Sequence, residues 1–170
     1  MIQVYTGNGK GKTTAALGLA LRAVGQGLTV RFIMFMKGDI VYGELESAKI
    51  FEPQLKIVPM GRAEFVDKNN PAQIDIEWAQ KGMAQSREII KNKDADLLVL
   101  DEVLVAVDYN LITESDLLEL LDAAPENIEI VLTGRGASSK IIERADLVTE
   151  FVEKKHYYRN GIISRKGFDH

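Results

Sequence analysis

The sequence contains no cysteine, and this absence excludes several kinds of functional site. Without cysteine the chain can form no disulfide, no thiol nucleophile and no zinc centre with thiolate ligands. Histidine is also scarce, because only His156 and His170 are present and both lie near the C-terminus. Their spacing does not match a histidine metal motif. The sequence therefore predicts no metal site built on cysteine or histidine.

Positive charge is limited as well. The 21 Lys and Arg residues are outnumbered by 25 Asp and Glu residues, which gives a formal net charge of −4. Proteins dedicated to nucleic acids usually carry a strongly basic face. The composition therefore disfavours a nucleic-acid partner.

Long apolar runs are also absent. No uninterrupted apolar run approaches the roughly 20 residues that a membrane span needs. The chain starts directly with MIQVYT, and no cationic segment precedes an apolar run as in a secretory signal. We therefore expect a cytoplasmic protein with no membrane partner. The length of 170 residues predicts a single domain, 1–170, with one sizeable core.

What the sequence does contain is an alternation of short apolar runs with longer helical patterns. Five runs are typical of strands, and a sixth at 55–58 is weaker. The five are 2–6, 28–36, 97–100, 128–133 and 147–152. Such alternation predicts an α/β fold with a mostly parallel central sheet and helices on both faces.

Three helices are predicted between these runs. The first follows the glycine-rich segment near the N-terminus and ends near Gly25 and Gly27, which suit a C-terminal cap. The second begins after Asn70, a capping residue, with Pro71 in its first turn. The third follows Thr113. Apolar residues recur at helical spacing in the second helix, at Ile76, Ala79, Met83 and Ile90.

The C-terminal segment HYYRNGIISR has a different pattern. Asn160 and Gly161 lie between two β-prone runs, which is a hairpin turn signal. We therefore expect a C-terminal β-hairpin-like tail in which Tyr157 and Tyr158 pack.

The segment TGNGKGKTT, residues 6–14, lies between the first strand and the first helix. It differs by one position from the common pattern G-x-x-x-x-G-K-(S/T), because residue 6 is threonine and the first glycine is Gly7. Here Gly7, Gly9 and Gly11 can turn backbone N–H groups toward an anion, and the helix beginning near Lys12 adds the positive end of its dipole. The segment predicts a phosphate-binding loop, or P-loop, that is one residue short.

The side chains of this loop suit a nucleotide. Lys12 can supply positive charge to phosphates, the Thr13 hydroxyl can bind Mg²⁺, and Lys10 adds a second cation. A shorter loop should still hold phosphates, but in a pose that differs from that in a hydrolase or kinase. The candidate nucleotide-binding residues of the loop are Gly7, Asn8, Gly9, Lys10, Gly11, Lys12, Thr13 and Thr14.

An acidic pair, Asp101 and Glu102, ends the apolar run LLVL. In open α/β sheets the carboxyl ends of the strands are where ligands bind, and a carboxylate there commonly holds a metal ion, directly or through water. The pair resembles the RecA-like branch of P-loop proteins, so we expect a P-loop NTPase fold of the RecA-like type. Glu102 can either activate water, as in an ATPase, or bind Mg²⁺.

Two further basic residues and one further segment are candidates. Arg135, in TGRGA after the strand at 128–133, can reach phosphate or ribose. Lys37 begins the segment KGDIVYGE, which follows the second strand and should lie at the same edge of the sheet. Arg22, late in the first helix, either complements the helix C-terminus or contacts a ligand.

Five segments together resemble the P-loop type of ATP:corrinoid adenosyltransferase. They are TGNGKGKTTAALGLALRAVGQG, FMKG followed by YGE, LLVLDE, VLTGRGA and LVTEFVEKKHYYRNGIISRKGFD. The resemblance covers nearly the whole chain in order. It implies that a reduced Co(I) corrinoid attacks the 5′ carbon of ATP and that triphosphate leaves, in adenosylcobalamin biosynthesis or salvage. It also implies that ATP lies reversed relative to other P-loop enzymes, so that the short loop holds the leaving triphosphate.

The resemblance assigns roles to individual residues. It implies Lys12 and Glu102 as catalytic residues, Thr13 and Glu102 as ligands of Mg²⁺ or Mn²⁺, and Arg22 and Arg135 as nucleotide contacts. It further implies a flavin-type reductase that supplies Co(I), and a homodimer. Where the family often has an aromatic-rich GFTW segment near the corrinoid, this chain has GRAEFVD, in which only Phe65 corresponds.

Two other functions fit the P-loop. One is a small P-loop nucleoside kinase, although many such enzymes carry a cysteine zinc site that this chain cannot form. The other is a regulatory ATPase, which the Asp101–Glu102 pair would suit. Their products differ from that of an adenosyltransferase: a phosphorylated nucleoside, or ADP and phosphate, in place of free triphosphate.

Overall fold

Six parallel strands form one sheet in the computed structural model, which describes residues 1–38 and 42–169. Two parts of the chain lie outside the described residues: residues 39–41, which belong to the segment KGDIVYGE, and His170. The strands are β1 (Ile2–Thr6), β2 (Val30–Phe35), β3 (Leu55–Met60), β4 (Leu97–Asp101), β5 (Glu129–Thr133) and β6 (Leu147–Glu150). Their order in the sheet is β3-β2-β4-β5-β1-β6, and every described pairing is parallel. All six predicted strands are therefore confirmed.

Six α-helices accompany the sheet in the described part of the chain. They are α1 (Lys12–Gly25), α2 (Gly43–Ala48), α3 (Gln73–Asn92), α4 (Val103–Asp108), α5 (Glu114–Asp122) and α6 (Ser139–Arg144). The three predicted helices correspond to α1, α3 and α5. The other three have six residues each, fewer than two turns, so their sequences are too short to show a helical period. Among the described residues, no helix is long and apolar enough to cross a membrane.

The start of α3 differs from the prediction. The helix begins at Gln73, not at Pro71, and its first turn is capped from within by Asp75. The Asp75 carboxylate accepts a hydrogen bond from the Ala72 N–H at 3.1 Å and is held by the Arg62 guanidinium at 2.6 Å. Because this internal carboxylate supplies the cap, Asn70 is not needed as the capping residue.

The core lies on both faces of the sheet. Alternate residues of β2 point to opposite sides, as the pleat of a strand requires. Phe32 and Met34 pack with the alanines of α1, whereas Ile33 and Phe35 pack with Ala79 and Met83 of α3. A strand buried on both faces explains the continuous apolar run at residues 32–35 of β2. Every residue of β2, including Arg31, is buried.

The C-terminal tail forms a turn but no hairpin, which corrects one part of the predicted fold. Residues Tyr157–Asn160 form a short 3₁₀ helix, and Gly161, at φ 79°, ends it. Between 151 and 169 the structure contains no strand. The Asn-Gly signal thus marks a helix end, and the tail is held by side-chain contacts described below.

The topology determines where functional side chains meet. Parallel strands all end at the same edge of the sheet, and β5 lies between β4 and β1. The loops after β1, β2, β4 and β5 therefore border one region. This region contains the candidate site.

Candidate functional site

The loop between β1 and α1 borders a cleft of about 790 Å³ at the carboxyl edge of the sheet. Gly7 and Gly11 have positive φ values, 98° and 114°, which residues with a Cβ rarely adopt. Gly11 precedes the first residue of α1 and offers no side-chain cap. The first N–H groups of α1 have no intrahelical acceptors, so they form an anion-binding surface beside the cleft.

Two positions of this loop must be glycine, because the backbone that follows β6 passes too close to them for a side chain. A Cβ at Gly7 would lie 2.5 Å from the carbonyl oxygen of Phe151, and a Cβ at Gly9 would lie 2.8 Å from it. The Gly9 N–H donates a 2.6 Å hydrogen bond to that same oxygen. This N–H therefore binds the protein itself, which leaves the amides at the start of α1 as the candidates for binding an anion.

Substitution of Gly9 by alanine is expected to destabilise the fold by about 1 to 3 kcal/mol, because the new methyl group overlaps the Phe151 carbonyl. Chemical denaturation measures this change. The control is Gly18→Ala in the interior of α1, where a Cβ would meet nothing within 4 Å. There, the higher helix propensity of alanine should raise stability by about 1 kcal/mol. Equal effects of the two substitutions would contradict the close-packing explanation.

Lys12 is buried beneath the loop. Its ammonium group donates hydrogen bonds to the carbonyl oxygens of Gly7, at 2.8 Å, and Gly9, at 2.9 Å. Burial lowers the pKa of Lys12 from its usual value, and the nearby Glu102 carboxylate opposes that change. An ammonium group has three donors, so these two bonds to the loop leave one for a ligand in the cleft.

Asp101, at the end of β4, is fully buried and binds side chains from three other segments. Its Oδ1 accepts hydrogen bonds from the hydroxyl groups of Thr13, at 2.8 Å, and Thr133, at 2.7 Å. Its Oδ2 accepts one from the Lys37 ammonium at 3.0 Å. Burial tends to lower the pKa of Lys37, but the Asp101 carboxylate outweighs this and the pKa is raised. Asp101 thus joins the phosphate loop to the ends of β2 and β5.

Glu102 turns away from its neighbour and lines the cleft. Its backbone adopts a left-handed conformation, with φ 58°, and its N–H donates to the Thr133 hydroxyl at 2.9 Å. Burial, followed by the charge of Asp101, raises the pKa of the Glu102 carboxyl, and Lys37 and Lys12 act in the opposite direction. The tight turn therefore gives the two adjacent acids separate environments: Asp101 is internal, and Glu102 faces the cleft.

Arg135 reaches the same cleft from the turn after β5. It lies between Gly134 and Gly136, which have positive φ values of 139° and 75°. A Cβ at Gly134 would lie 2.7 Å from the Cβ of Leu104, so α4 packs directly on this turn. The glycines therefore let the turn fold tightly against α4 with its arginine at the cleft.

The cleft brings together most of the residues predicted from the sequence. Gly7 belongs to the loop but is not among the residues that line the cleft. Arg22 lies in the last turn of α1, about 15 Å along the helix from Lys12 at 1.5 Å per residue. Arg22 does not line the cleft. The predicted residues that do so are Asn8, Gly9, Lys10, Gly11, Lys12, Thr13, Thr14, Glu102 and Arg135.

The oxygen donors at the cleft fit a hard divalent cation. Mg²⁺ is commonly held by one or two carboxylates, by waters and by the phosphates of a bound substrate. The Thr13 hydroxyl and the Glu102 carboxylate line the cleft, whereas both carboxylate oxygens of Asp101 already accept hydrogen bonds. Within residues 1–38 and 42–169 there is no cluster of three or more His, Asp or Glu residues that would hold a metal without a substrate.

The C-terminal tail forms a wall of the cleft that the sequence did not predict. Asp169 forms an ion pair with Lys10 at 2.5 Å, accepts a hydrogen bond from the Tyr157 hydroxyl and accepts another from the Arg165 N–H at 2.9 Å. Lys10, followed by Tyr157, lowers the pKa of the Asp169 carboxyl. Because Asp169 lies more than 150 positions after Lys10, no local sequence pattern could have revealed the contact.

Comparison with protein families gives a match over the whole chain. The family model described as ATP:corrinoid adenosyltransferase BtuR/CobO/CobP matches residues 1–170. The corrinoid adenosyltransferase of Pseudomonas aeruginosa is 33% identical over 169 residues, covering 99% of this chain and 83% of that protein. The corrinoid adenosyltransferase of Escherichia coli (strain K12) is 31% identical over 170 residues, covering 100% of this chain and 85% of that protein.

A comparison of structures gives a more distant likeness. The KaiC-like protein PH0186 from the hyperthermophilic archaeon Pyrococcus horikoshii OT3 superimposes with a TM-score of 0.59 at 16% identity. The superposition covers 88% of this chain and 70% of that chain. At this identity the likeness concerns the fold alone, and it agrees with the predicted α/β fold of the P-loop type.

Proposed function

The chain belongs to the ATP:corrinoid adenosyltransferase family, and we propose that its cleft binds ATP through the phosphate loop while Glu102 and Thr13 hold a divalent cation. The enzyme adenosylates a corrinoid with ATP, in cobalamin biosynthesis or salvage. The observation that carries the proposed site is the convergence of Lys12, Thr13, Glu102 and Arg135 on one cleft. A single domain, 1–170, is proposed to carry this activity, since one sheet and one cleft involve both ends of the chain.

The reaction requires little covalent chemistry from the protein. The electron pair of Co(I) forms the new bond to the 5′ carbon of ATP, the carbon–oxygen bond breaks, and its electron pair leaves with the triphosphate. The chain must therefore align the 5′ carbon with cobalt and stabilise the charge on the leaving group. Because Co(I) is the nucleophile, no side chain of the cleft needs to act as one.

The loop and Lys12 are proposed to stabilise the leaving triphosphate. The start of α1 offers N–H groups and the positive end of the helix dipole, and the Lys12 ammonium retains a donor for the ligand. Arg135 adds a second positive charge at the cleft. Because Arg22 lies at the far end of α1, the geometry does not support it as a nucleotide contact, and its role stays a prediction.

A divalent cation, Mg²⁺ or Mn²⁺, is proposed at Thr13 and Glu102. When bound, such an ion neutralises charge on phosphate oxygens. The Asp101 carboxylate orients the Thr13 hydroxyl through the 2.8 Å bond, so its role here is to position a ligand. Glu102 then supplies the negative charge that faces the cleft.

Glu102→Gln is expected to raise the Mg²⁺ concentration needed for half-maximal adenosylation by about tenfold or more. Loss of an outer-shell partner of a metal commonly costs tenfold to a hundredfold in affinity, and loss of a charged ligand should cost at least as much. A Mg²⁺ titration of initial rates measures the change. Glu44→Gln, at another acid that lines the cleft, is the control and should change the titration little. An unchanged titration for Glu102→Gln would move the metal role to another residue.

The corrinoid is proposed to approach over the loop that follows β3. Phe65 in this loop is fully exposed. A corrin ring is broad and flat, and an exposed aromatic side chain offers a flat surface on which such a ring can pack. This is the residue that corresponds to the family's aromatic segment.

The proposed partners rest on the family resemblance. They are a flavin-type reductase that supplies Co(I), and a second copy of the chain in a homodimer. A cytoplasmic location likewise stays a prediction.

Product analysis tests the proposed function. ATP, Mg²⁺ and a Co(I) corrinoid should yield a light-sensitive adenosyl corrinoid and intact triphosphate in equal amounts, because the bond broken lies at the 5′ carbon. Without corrinoid, ATP should be hydrolysed little or not at all. Rapid release of ADP and phosphate with no adenosylated product would instead favour a regulatory ATPase, and a phosphorylated nucleoside would favour a kinase.

A further inference from the structure

Lys37 follows β2 directly at the carboxyl edge of the sheet and lines the cleft. Its side chain is 20% exposed, and its ammonium group donates to Asp101 Oδ2 at 3.0 Å. The ammonium also lies 5.4 Å from the centre of the Tyr42 ring. It is thus a largely buried cation at the margin of the site.

The backbone around Lys37 is tightly constrained. Met36, the preceding residue, has a left-handed backbone with φ 59°, which is costly for a side chain of its size. A Cβ at Gly38, the next residue, would lie 2.0 Å from the carbonyl carbon of Arg62. A Cβ at Gly61 would lie 2.7 Å from the backbone nitrogen of Lys37. The loops after β2 and β3 are therefore packed backbone to backbone, and this packing directs Lys37 to one place.

Two other cations of the cleft, both in the phosphate loop, have partners that reduce their capacity for a polyanion. Lys10 is neutralised by Asp169, and Lys12 uses two donors on loop carbonyls. Among the hydrogen bonds of the described residues, the Lys37 ammonium donates one, to Asp101. Two of its three donors therefore remain for a ligand. Because β4 and β5 separate β2 from β1, Lys37 and Lys12 approach the cleft from different sides.

We propose that Lys37 is a further phosphate-binding cation of this site, oriented by Asp101, which contacts the triphosphate from the end of β2. The proposal rests on the proposed function, since it assigns Lys37 to the group that leaves during adenosylation. A purely internal role is the competing explanation, in which Lys37 only neutralises the buried Asp101 carboxylate. The two roles predict different behaviour once the charge of Asp101 is removed.

The experiment measures binding of inorganic triphosphate by calorimetry, without Mg²⁺ and without corrinoid. Asp101→Asn is the reference, because asparagine keeps the shape of the side chain and leaves no unpaired carboxylate when Lys37 is also replaced. The double variant Lys37→Met with Asp101→Asn should bind triphosphate about tenfold to a hundredfold more weakly than the reference, as expected for a lost hydrogen bond between charged groups. Lys49→Met on the same reference is the control, since Lys49 is exposed and paired with Glu46.

Thermal melting of each variant confirms that it is folded before binding is measured. Affinity of the double variant within twofold of the reference would overturn the proposal and leave Lys37 with the internal role. An equal loss for Lys49→Met would also overturn it, because the effect would then come from overall charge. The proposed function is tested separately by the products of the wild-type enzyme with corrinoid, so failure of either idea can be recognised independently.

Discussion

Lys12→Ala is expected to lower the rate of adenosylation by about a hundredfold or more. The substitution removes a preorganised positive charge at the leaving triphosphate, and loss of one such contact commonly has an effect of this size. The charge cannot be replaced by water, because Lys12 is buried and held between the carbonyl groups of Gly7 and Gly9. Initial rates of corrinoid adenosylation at saturating ATP and Mg²⁺ measure the loss.

Lys10→Ala is the matched control for this prediction. Lys10 belongs to the same loop, but it is 38% exposed and its ammonium group is paired with Asp169. Its removal should reduce the rate much less than the removal of Lys12. A variant lacking Lys12 with near wild-type turnover would refute the assignment of its ammonium group to the triphosphate. Comparable losses in both variants would show that net charge, and not position, controls the rate.

Asp101→Ala is expected to lower the free energy of unfolding by about 3 kcal/mol. Removing one partner of a buried ion pair commonly costs about 3 to 5 kcal/mol, because the remaining charge is left unpaired. Here the lower value applies, since Lys37 lies beside the cleft and can reach water. The hydroxyl groups of Thr13 and Thr133 also lose their common acceptor. Urea denaturation of wild type and variant measures the difference.

The control is the same substitution at Asp108, whose carboxylate pairs with Lys68 at the surface. Exposed pairs contribute about 0 to 1 kcal/mol, so Asp108→Ala should change stability little. If Asp101→Ala were equally mild, Asp101 would not be the internal link between the phosphate loop and the ends of β2 and β5. A loss of adenosylation that exceeds the loss of folded protein would indicate that Asp101 also orients Thr13 during catalysis.

Much of the fold followed from local patterns. The apolar runs predicted all six strands, and their alternation with helical segments predicted a parallel sheet. Helix boundaries could be predicted because capping depends on nearby residues. Thr113 marked the start of α5, and Gly25 and Gly27 marked the end of α1. The candidate phosphate loop could also be recognised locally, since its glycines, Lys12 and Thr13 lie within one short segment between a strand and a helix.

Prediction failed where an element is short or depends on distant residues. The helices of six residues are too short to show a period. The hairpin signal at Asn160 failed because Tyr157, Arg165 and Asp169 hold the tail by side-chain contacts, and no cross-strand ladder forms. The start of α3 was also displaced, because Asp75 is held from outside the helix by Arg62.

The sequence by itself determined the side chains available to this protein: a glycine-rich loop with Lys12 and Thr13, two adjacent acids, and no thiol. Tertiary structure alone decided which of these groups are buried and which face the cleft. Parallel strands bring distant loops to one edge, so Asp101 is buried against Thr13, Thr133 and Lys37 while Glu102 faces the cleft. The same packing makes Gly9 a contact for Phe151 and brings Asp169 to Lys10. These pairings depend on distances between residues far apart in the chain, and a local pattern contains no information about such distances.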